Sequence, residues 1–141
     1  TIFVLNPARD EDITDRNENS LVLKLHYKNF DALFCGDASG PALEDMAGLY
    51  GKSLRSDIIK MPHHGGDIGS AREAGDFLST VGARVAVISV AKNNRYRSPS
   101  RKTLEVLDVL DPLIYQTKDN GAITVSVKRG RYEVEPYINN N

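Results

Sequence analysis

The sequence predicts an α/β fold built on a mixed sheet, and three observations carry that prediction. β-forming apolar runs alternate with amphipathic helical runs through the middle of the chain. Apolar runs are paired closely, as hairpins, towards both ends. Residues 84–90 (RVAVISV) are continuously apolar after the first position until Ser89, as a strand covered on both faces would be.

The elements follow in order. Ile2-Phe3-Val4-Leu5 reads as a strand already under way at Thr1, so the chain is expected to be a piece of a longer protein. Residues 21–27 (LVLKLHY) form the next strand, Lys28-Asn29 a polar turn, and residues 31–36 its hairpin partner. Pro41 suits the first turn of a helix that runs to Tyr50 with Leu43, Met46, Ala47 and Leu49 on its apolar side, and Gly51 ends it. Residues 56–61 form a strand leading into His63-His64. A Gly-rich loop, residues 65–69, precedes Ser70, which caps a helix to Val81 stopped by Gly82. After the buried strand comes a polar basic loop, residues 91–99. Ser100 then caps a helix through Leu110, and residues 113–116 are a short strand. Asp119-Asn120-Gly121 is a turn signal, and residues 122–127 and 132–137 pair around Arg129-Gly130. The domain is expected to occupy 1–141 as a single, partial unit, with a disordered tail at 138–141.

Bulk composition narrows the function classes. A chain of 141 residues, 40% hydrophobic and 26% charged, is long enough for one globular domain with its own core. A net charge of −1 gives no global attraction to polyanions, so nucleic-acid binding requires a local patch. The single cysteine, Cys35, excludes an internal disulfide framework and a cysteine-rich zinc site; it reads as a small buried hydrophobe. No apolar stretch approaches the roughly 18 residues of a membrane span, and no signal peptide is visible, although in a piece of a longer protein that says little about compartment.

The chemistry-bearing residues sit at strand ends. Asp37 follows Cys35-Gly36 at the end of one apolar run; His63 and His64 follow Pro62 at the end of another, ahead of two glycines. Asp37 alone is an ordinary turn or cap residue. Read with the histidines it becomes a metal-ligand candidate, because a carboxylate can bridge two ions and hold their spacing. The histidines are candidates both as ligands and as catalytic groups. On an extended segment their rings point to opposite faces, so only one is expected to face a given metal. His26 is expected to be a hydrogen-bonded strand residue. Lys92, Arg95, Arg97, Arg101 and Lys102 form a basic run around Tyr96. Its ordinary reading is a solvated loop; its functional reading is a phosphate-contacting edge with Tyr96 as a stacking platform.

Four blocks in order carry a resemblance: Asn17-Glu18-Asn19-Ser20-Leu21-Val22-Leu23; Phe34-Cys35-Gly36-Asp37; Asp57-Ile58-Ile59-Lys60-Met61-Pro62-His63-His64-Gly65; and Val87-Ile88-Ser89-Val90 with Asn93-Asn94-Arg95-Tyr96. From about Asn17 to Gly121 the chain resembles the carboxy-terminal half of the metallo-β-lactamase-fold domain of ComEC-type competence proteins and their stand-alone relatives. The resemblance implies an αββα sandwich and a metal-dependent hydrolase using two divalent ions, zinc or manganese, with DNA or another phosphodiester as substrate. It implies that Asp37 is the bridging carboxylate and that His63 and His64 are the late histidine block. It places Asn17, Asn19 and Ser20 near the site, and makes Asn19, Ser20, Asn94, Arg95 and Tyr96 the substrate-binding candidates.

Two departures stand against a straightforward transfer. The H-x-H-x-D-H signature belongs to the amino-terminal half of such a domain and is absent from this chain. The pattern also places histidine where Ser98 stands and serine where Gly66 stands. The leading reading is therefore part of a phosphodiesterase or nuclease, with weak or no metal binding by this chain alone, and the amino-terminal half of the same domain as its partner. The second is a non-catalytic module of the same fold for binding or assembly. The third is a hydrolase of small esters or lactams, disfavoured by the basic run. A stand-alone protein would be cytoplasmic; part of a competence membrane protein would be extracytoplasmic.

Overall fold

Strand order in the sheet follows chain order, which places every crossover between neighbours. The structure, a computed structural model, describes residues 1–7 and 16–138. Strands β1 (Ile2–Asn6), β2 (Val22–Tyr27), β3 (Phe30–Phe34), β4 (Ile58–Lys60), β5 (Val85–Ile88) and β6 (Leu113–Gln116) form one six-stranded sheet in the order 1-2-3-4-5-6. The first three strands pair antiparallel, and β3 to β6 pair parallel. Helices α1 (Pro41–Tyr50), α2 (Ala71–Val81) and α3 (Arg101–Leu110) are the three crossovers. A short helical turn, α4 (Thr117–Asn120), leads to a hairpin of β7 (Ile123–Lys128) and β8 (Arg131–Pro136), a two-stranded sheet of its own. The expected mixed α/β sheet is present.

Local chemistry sets the boundaries. Pro41 occupies the first turn of α1, and Gly51 ends it with φ 46°, where a side chain would be strained. At α2 the Ser70 hydroxyl accepts from the Glu73 amide while the Glu73 carboxylate accepts from the Ser70 amide, a reciprocal capping box. Ser100 caps α3 by accepting from the Thr103 amide. The expected turn at Asp119-Asn120-Gly121 is the end of α4, where the Gly121 amide donates to the Thr117 carbonyl. Strand β4 is shorter than the expected 56–61, and β3 and β5 end at Phe34 and Ile88, ahead of the expected Gly36 and Val90. Past these ends the Cys35 and Met61 amides still donate to the Lys60 and Val87 carbonyls before the chain turns into the site described below.

The two faces of the sheet are covered unequally. On one, Leu33, Ile59, Met61, Ala86 and Ile88 pack against Leu43 and Met46 of α1, Phe77, Leu78 and Val81 of α2 and Leu107 of α3. On the other, Phe30, Ala32, Ile58 and Val85 meet Val127, Tyr132 and Val134 of the hairpin, and the Phe30 and Tyr132 rings lie 5.3 Å apart. Ile2, Val4, Tyr27 and Phe34 stay exposed. Among the described residues no helix is long and apolar enough to cross a membrane. Of the expected tail, residues 139–141 lie outside the described residues, and the Ile138 amide donates to the Asn120 carbonyl.

Phe77 is 1% exposed at the centre of the helical layer. Phe77→Ala is expected to lower unfolding free energy by about 3–5 kcal/mol in urea titrations; a loss below 1 kcal/mol would show that this layer is not the main core.

Candidate functional site

Parallel pairing brings four strand ends to one rim. Phe34 of β3 is level with Lys60 of β4, Lys60 with Val87 of β5, and Ile88 with Gln116 of β6. The residues immediately beyond these positions surround a cavity of about 680 Å³ whose wall includes Asp37, His63, His64, Ser89 and Thr117. The carboxyl ends of parallel strands are where α/β sheets place their ligands, since the chain there is free to form loops.

The Asp37 turn is fixed through Gly36. Gly36 has φ 53°, and a Cβ on it would lie 2.8 Å from the Leu21 carbonyl oxygen and 3.3 Å from Ser20 Cβ, so no side chain fits. The Gly36 carbonyl accepts from the His63 amide at 3.1 Å and from Lys60 Nζ at 2.9 Å. The Cys35 amide points back to the Lys60 carbonyl at 3.4 Å. The carboxylate turn and the histidine turn are thereby stitched together.

The histidine segment is not extended, which corrects the expectation that the two rings point to opposite faces. Pro62–Gly65 is a tight turn in which His63 (φ 47°, ψ 39°) and His64 (φ 56°, ψ 26°) are both left-handed. That conformation costs non-glycine residues roughly 1–2 kcal/mol each. Both residues line the same cavity. His64 Nδ1 lies 2.7 Å from the Ser89 carbonyl oxygen, which can only accept, so Nδ1 carries a proton. In the neutral ring Nε2 is then an acceptor, and it faces Asp37 Oδ1 at 3.3 Å. At that distance the two atoms can share an ion as ligands or form an ion pair through a proton on Nε2. Nδ1 of His63 is buried with no hydrogen-bond partner among the described residues. The donor set fits part of a metal centre: a carboxylate and an imidazole nitrogen that converge. Among the described residues no group of three or more His, Cys, Asp or Glu side chains is placed to hold an ion.

The loop after β5 closes the other side. Asn94 uses its amide group as a clasp, donating to the Ala91 and Ser98 carbonyls and accepting from the Ser98 amide. Tyr96, 73% exposed, stands on the cavity wall with the Arg95 guanidinium 4.7 Å from its ring centroid. Arg101 is paired with Glu105 and Lys102 with Asp67. Among the described residues no carboxylate lies within ion-pair distance of Lys92, Arg95 or Arg97, so the positive charge of the run is concentrated on the loop.

The structure thus brings together Asp37, His63, His64, Asn94 and Tyr96, and leaves Asn19, Ser20 and Arg95 off the wall. Ser20 stands behind the Asp37 turn, against Gly36, and its carbonyl accepts from Asn6 Nδ2. Arg95 is drawn aside onto the Tyr96 ring. The two departures from the family pattern are neighbours: a Cβ on Gly66 would lie 3.2 Å from Ser98 Oγ and 2.9 Å from the His63 carbonyl oxygen. Ser89 and Thr117 are among the wall residues that the sequence does not single out. Ser89 acts through its backbone carbonyl, which no side-chain pattern encodes. Thr117 bonds both the amide and the carbonyl of Val90 through one hydroxyl, tying β6 to β5. His26 bonds Asp31 at 2.7 Å on the antiparallel pairing of β2 and β3, as expected of a strand residue.

Comparison with known proteins supports kinship with a competence-protein family. The chain is 30% identical over 135 residues to ComE operon protein 3 of Bacillus subtilis, covering 94% of this chain and 17% of that protein. It is 29% identical over 126 residues to Competence protein ComA of Neisseria gonorrhoeae, covering 89% of this chain and 18% of that one. It is 29% identical over 86 residues to the uncharacterized protein YcaI of Escherichia coli, covering 61% of this chain and 11% of that one. The chain therefore spans under a fifth of the length of these curated relatives. No family model and no solved structure matches it.

Two outcomes test this geometry. In long-range nitrogen-15 spectra of neutral His64, Nδ1 is expected to give the protonated-nitrogen shift and Nε2 the lone-pair shift; the reverse would break the Ser89 assignment. Cys35, fully buried beneath the Asp37 turn, has its thiol pushed up to about 12 by burial. A thiol reagent at pH 8 is expected to label it only when the protein unfolds, and fast labelling of the native chain would show that the turn opens.

Proposed function

We propose that this chain is the carboxy-terminal part of a metal-dependent phosphodiesterase or nuclease of the metallo-β-lactamase fold, acting on DNA during competence. The observation that carries the reading is the pair of facing acceptors, Asp37 Oδ1 and His64 Nε2, 3.3 Å apart on the rim of the parallel strands. The similarity to proteins named for competence points to DNA as the substrate class.

The chain's own residues divide the work. Asp37 and His64 Nε2 are the ligands, and the Ser89 carbonyl holds the His64 ring in the tautomer that leaves Nε2 free to coordinate. A divalent ion, zinc or manganese, supplies Lewis-acid polarisation of a phosphoryl oxygen and lowers the pKa of water. His63 lines the same wall, where it would serve as a further ligand or a charge-stabilising donor. Tyr96 offers a stacking face on the cavity wall, and Lys92, Arg95 and Arg97, on the same loop but off that wall, carry positive charge that would attract a phosphate backbone. Two ligands do not hold two ions, so the remaining ligands come from the amino-terminal half of the same domain. The exposed apolar side chains Ile2, Val4, Tyr27 and Phe34 suit packing against that half.

A second reading, a non-catalytic module for binding or assembly, is favoured by Ser98 standing at the pattern's histidine position. Calorimetric titration of the 141-residue chain with Zn²⁺ separates the two. Weak binding is expected, reduced at least about tenfold by Asp37→Ala and by His64→Ala, with no metal-dependent cleavage of single-stranded DNA by the chain alone. Affinity unchanged in both variants would overturn the metal site, and metal-dependent turnover by the pure chain would overturn its incompleteness.

A further inference from the structure

We propose that Lys60 is a positioning residue for the Asp37–His64 site: its ammonium, reaching from the hairpin side of the sheet, fixes the Asp37 turn through the Gly36 carbonyl. The inference rests on the site proposed above for its meaning, but the geometry behind it is independent of any ligand.

Lys60 is the last residue of β4, three positions before His63. It is paired in the ladder with Phe34 and Val87, and its side chain lies on the hairpin side. There its stem helps to line an apolar cleft of about 470 Å³ with Tyr27, Phe34, Ile58, Val87 and Val125. A lysine in such a cleft keeps its charge only if the ammonium finds acceptors. Nζ donates to the Gly36 carbonyl at 2.9 Å. Burial pulls the lysine below its usual range, and the nearby Asp37 carboxylate acts in the opposite direction. The hydrogen bond to Gly36 holds the half-buried ammonium against the Asp37 turn.

The Gly36 oxygen that receives it also accepts from the His63 amide. One oxygen therefore gathers a donor from the last residue of β4 and a donor from the histidine turn, and both act on the peptide that carries Asp37. A charged donor to a carbonyl is stronger than a neutral one. Removing it leaves the Gly36 peptide, already committed to φ 53°, held on that oxygen by the His63 amide.

The sign of the effect distinguishes positioning from plain electrostatics. A cation beside a metal-binding carboxylate repels the metal, so if charge were the only role, Lys60→Met would bind metal more tightly. If the tether sets the geometry, the same substitution weakens binding. Lys24 supplies a matched control: its Nζ donates to the Ser53 and Arg55 carbonyls at 2.7 Å each, tying down a loop from a half-buried position in β2 without contact with the site.

The experiment compares the full chain with Lys60→Met, Lys60→Arg and Lys24→Met, reading Zn²⁺ affinity by calorimetry and exchange of the His63 amide by NMR. Lys60→Met is expected to weaken Zn²⁺ binding at least about tenfold and to speed His63 exchange at least about tenfold relative to the Leu33 and Ile59 amides of the core. Lys60→Arg, which keeps a charged donor, is expected to recover most of both, and Lys24→Met to change neither. Equal or tighter Zn²⁺ binding by Lys60→Met, or unchanged His63 exchange, overturns the assignment. If the parent chain binds no Zn²⁺, the metal site falls, and the exchange comparison still decides whether Lys60 holds the turn.

Discussion

The Gly36 carbonyl oxygen is the point on which the site is assembled. Parallel register brings the ends of β3 and β4 level but leaves the turns beyond them free to diverge. The His63 amide and the Lys60 ammonium, both directed at this one oxygen, remove that freedom. Asp37 is carried by the tethered peptide, and the tethered amide belongs to the histidine turn. Gly36 itself must lack a side chain, because Leu21 and Ser20 fill the space behind it. A small set of backbone contacts thus brings a carboxylate and an imidazole, 27 residues apart in the chain (64 − 37), to within 3.3 Å.

The histidine turn shows how such closeness is maintained against local preference. Two consecutive left-handed non-glycine residues are unfavourable by a few kcal/mol in sum, taking roughly 1–2 kcal/mol for each. The turn persists because Met61, immediately before it, is fully buried in the helical layer, and because the Gly66 amide closes it onto the His63 carbonyl. Gly66 has to be small for that closure, since a Cβ there would press on the same carbonyl oxygen. Ser98 stands on the other side of the same close approach, its Oγ 3.2 Å from where a Cβ on Gly66 would lie.

Much of this architecture was legible in the residues, and the exceptions share one cause. Helices α1, α2 and α3 end where Pro41 and Gly51, Ser70 and Gly82, and Ser100 and Leu110 indicated, because caps and breakers act locally. The placement of Asp37, His63 and His64 on one rim was legible as well, since it follows from their positions after apolar strand-forming runs. The left-handed backbone at His63-His64 was not, because it is imposed by tertiary contacts against the residues' own preference. Nor were Ser89, which works through a carbonyl, and Thr117, which works through Val90 just past the end of β5. Asn19 and Ser20 adjoin the site in the chain's pattern, but the structure uses Ser20 as backing for Gly36, one layer behind the wall.

The hairpin β7–β8 forms a sheet separate from the six-stranded one. Its attachment is the Phe30–Tyr132 ring contact, the apolar side chains around them and a hydrogen bond from Asn29 Nδ2 to the Gly130 carbonyl. Ribbons fastened by packing rather than by backbone ladders tend to detach as a unit at lower free energy than the whole domain. Such a detachment would admit water to the cleft holding the Lys60 stem while leaving the parallel strands paired. The domain therefore has a built-in seam between the hairpin and the sheet, and the Lys60 side chain lies along it.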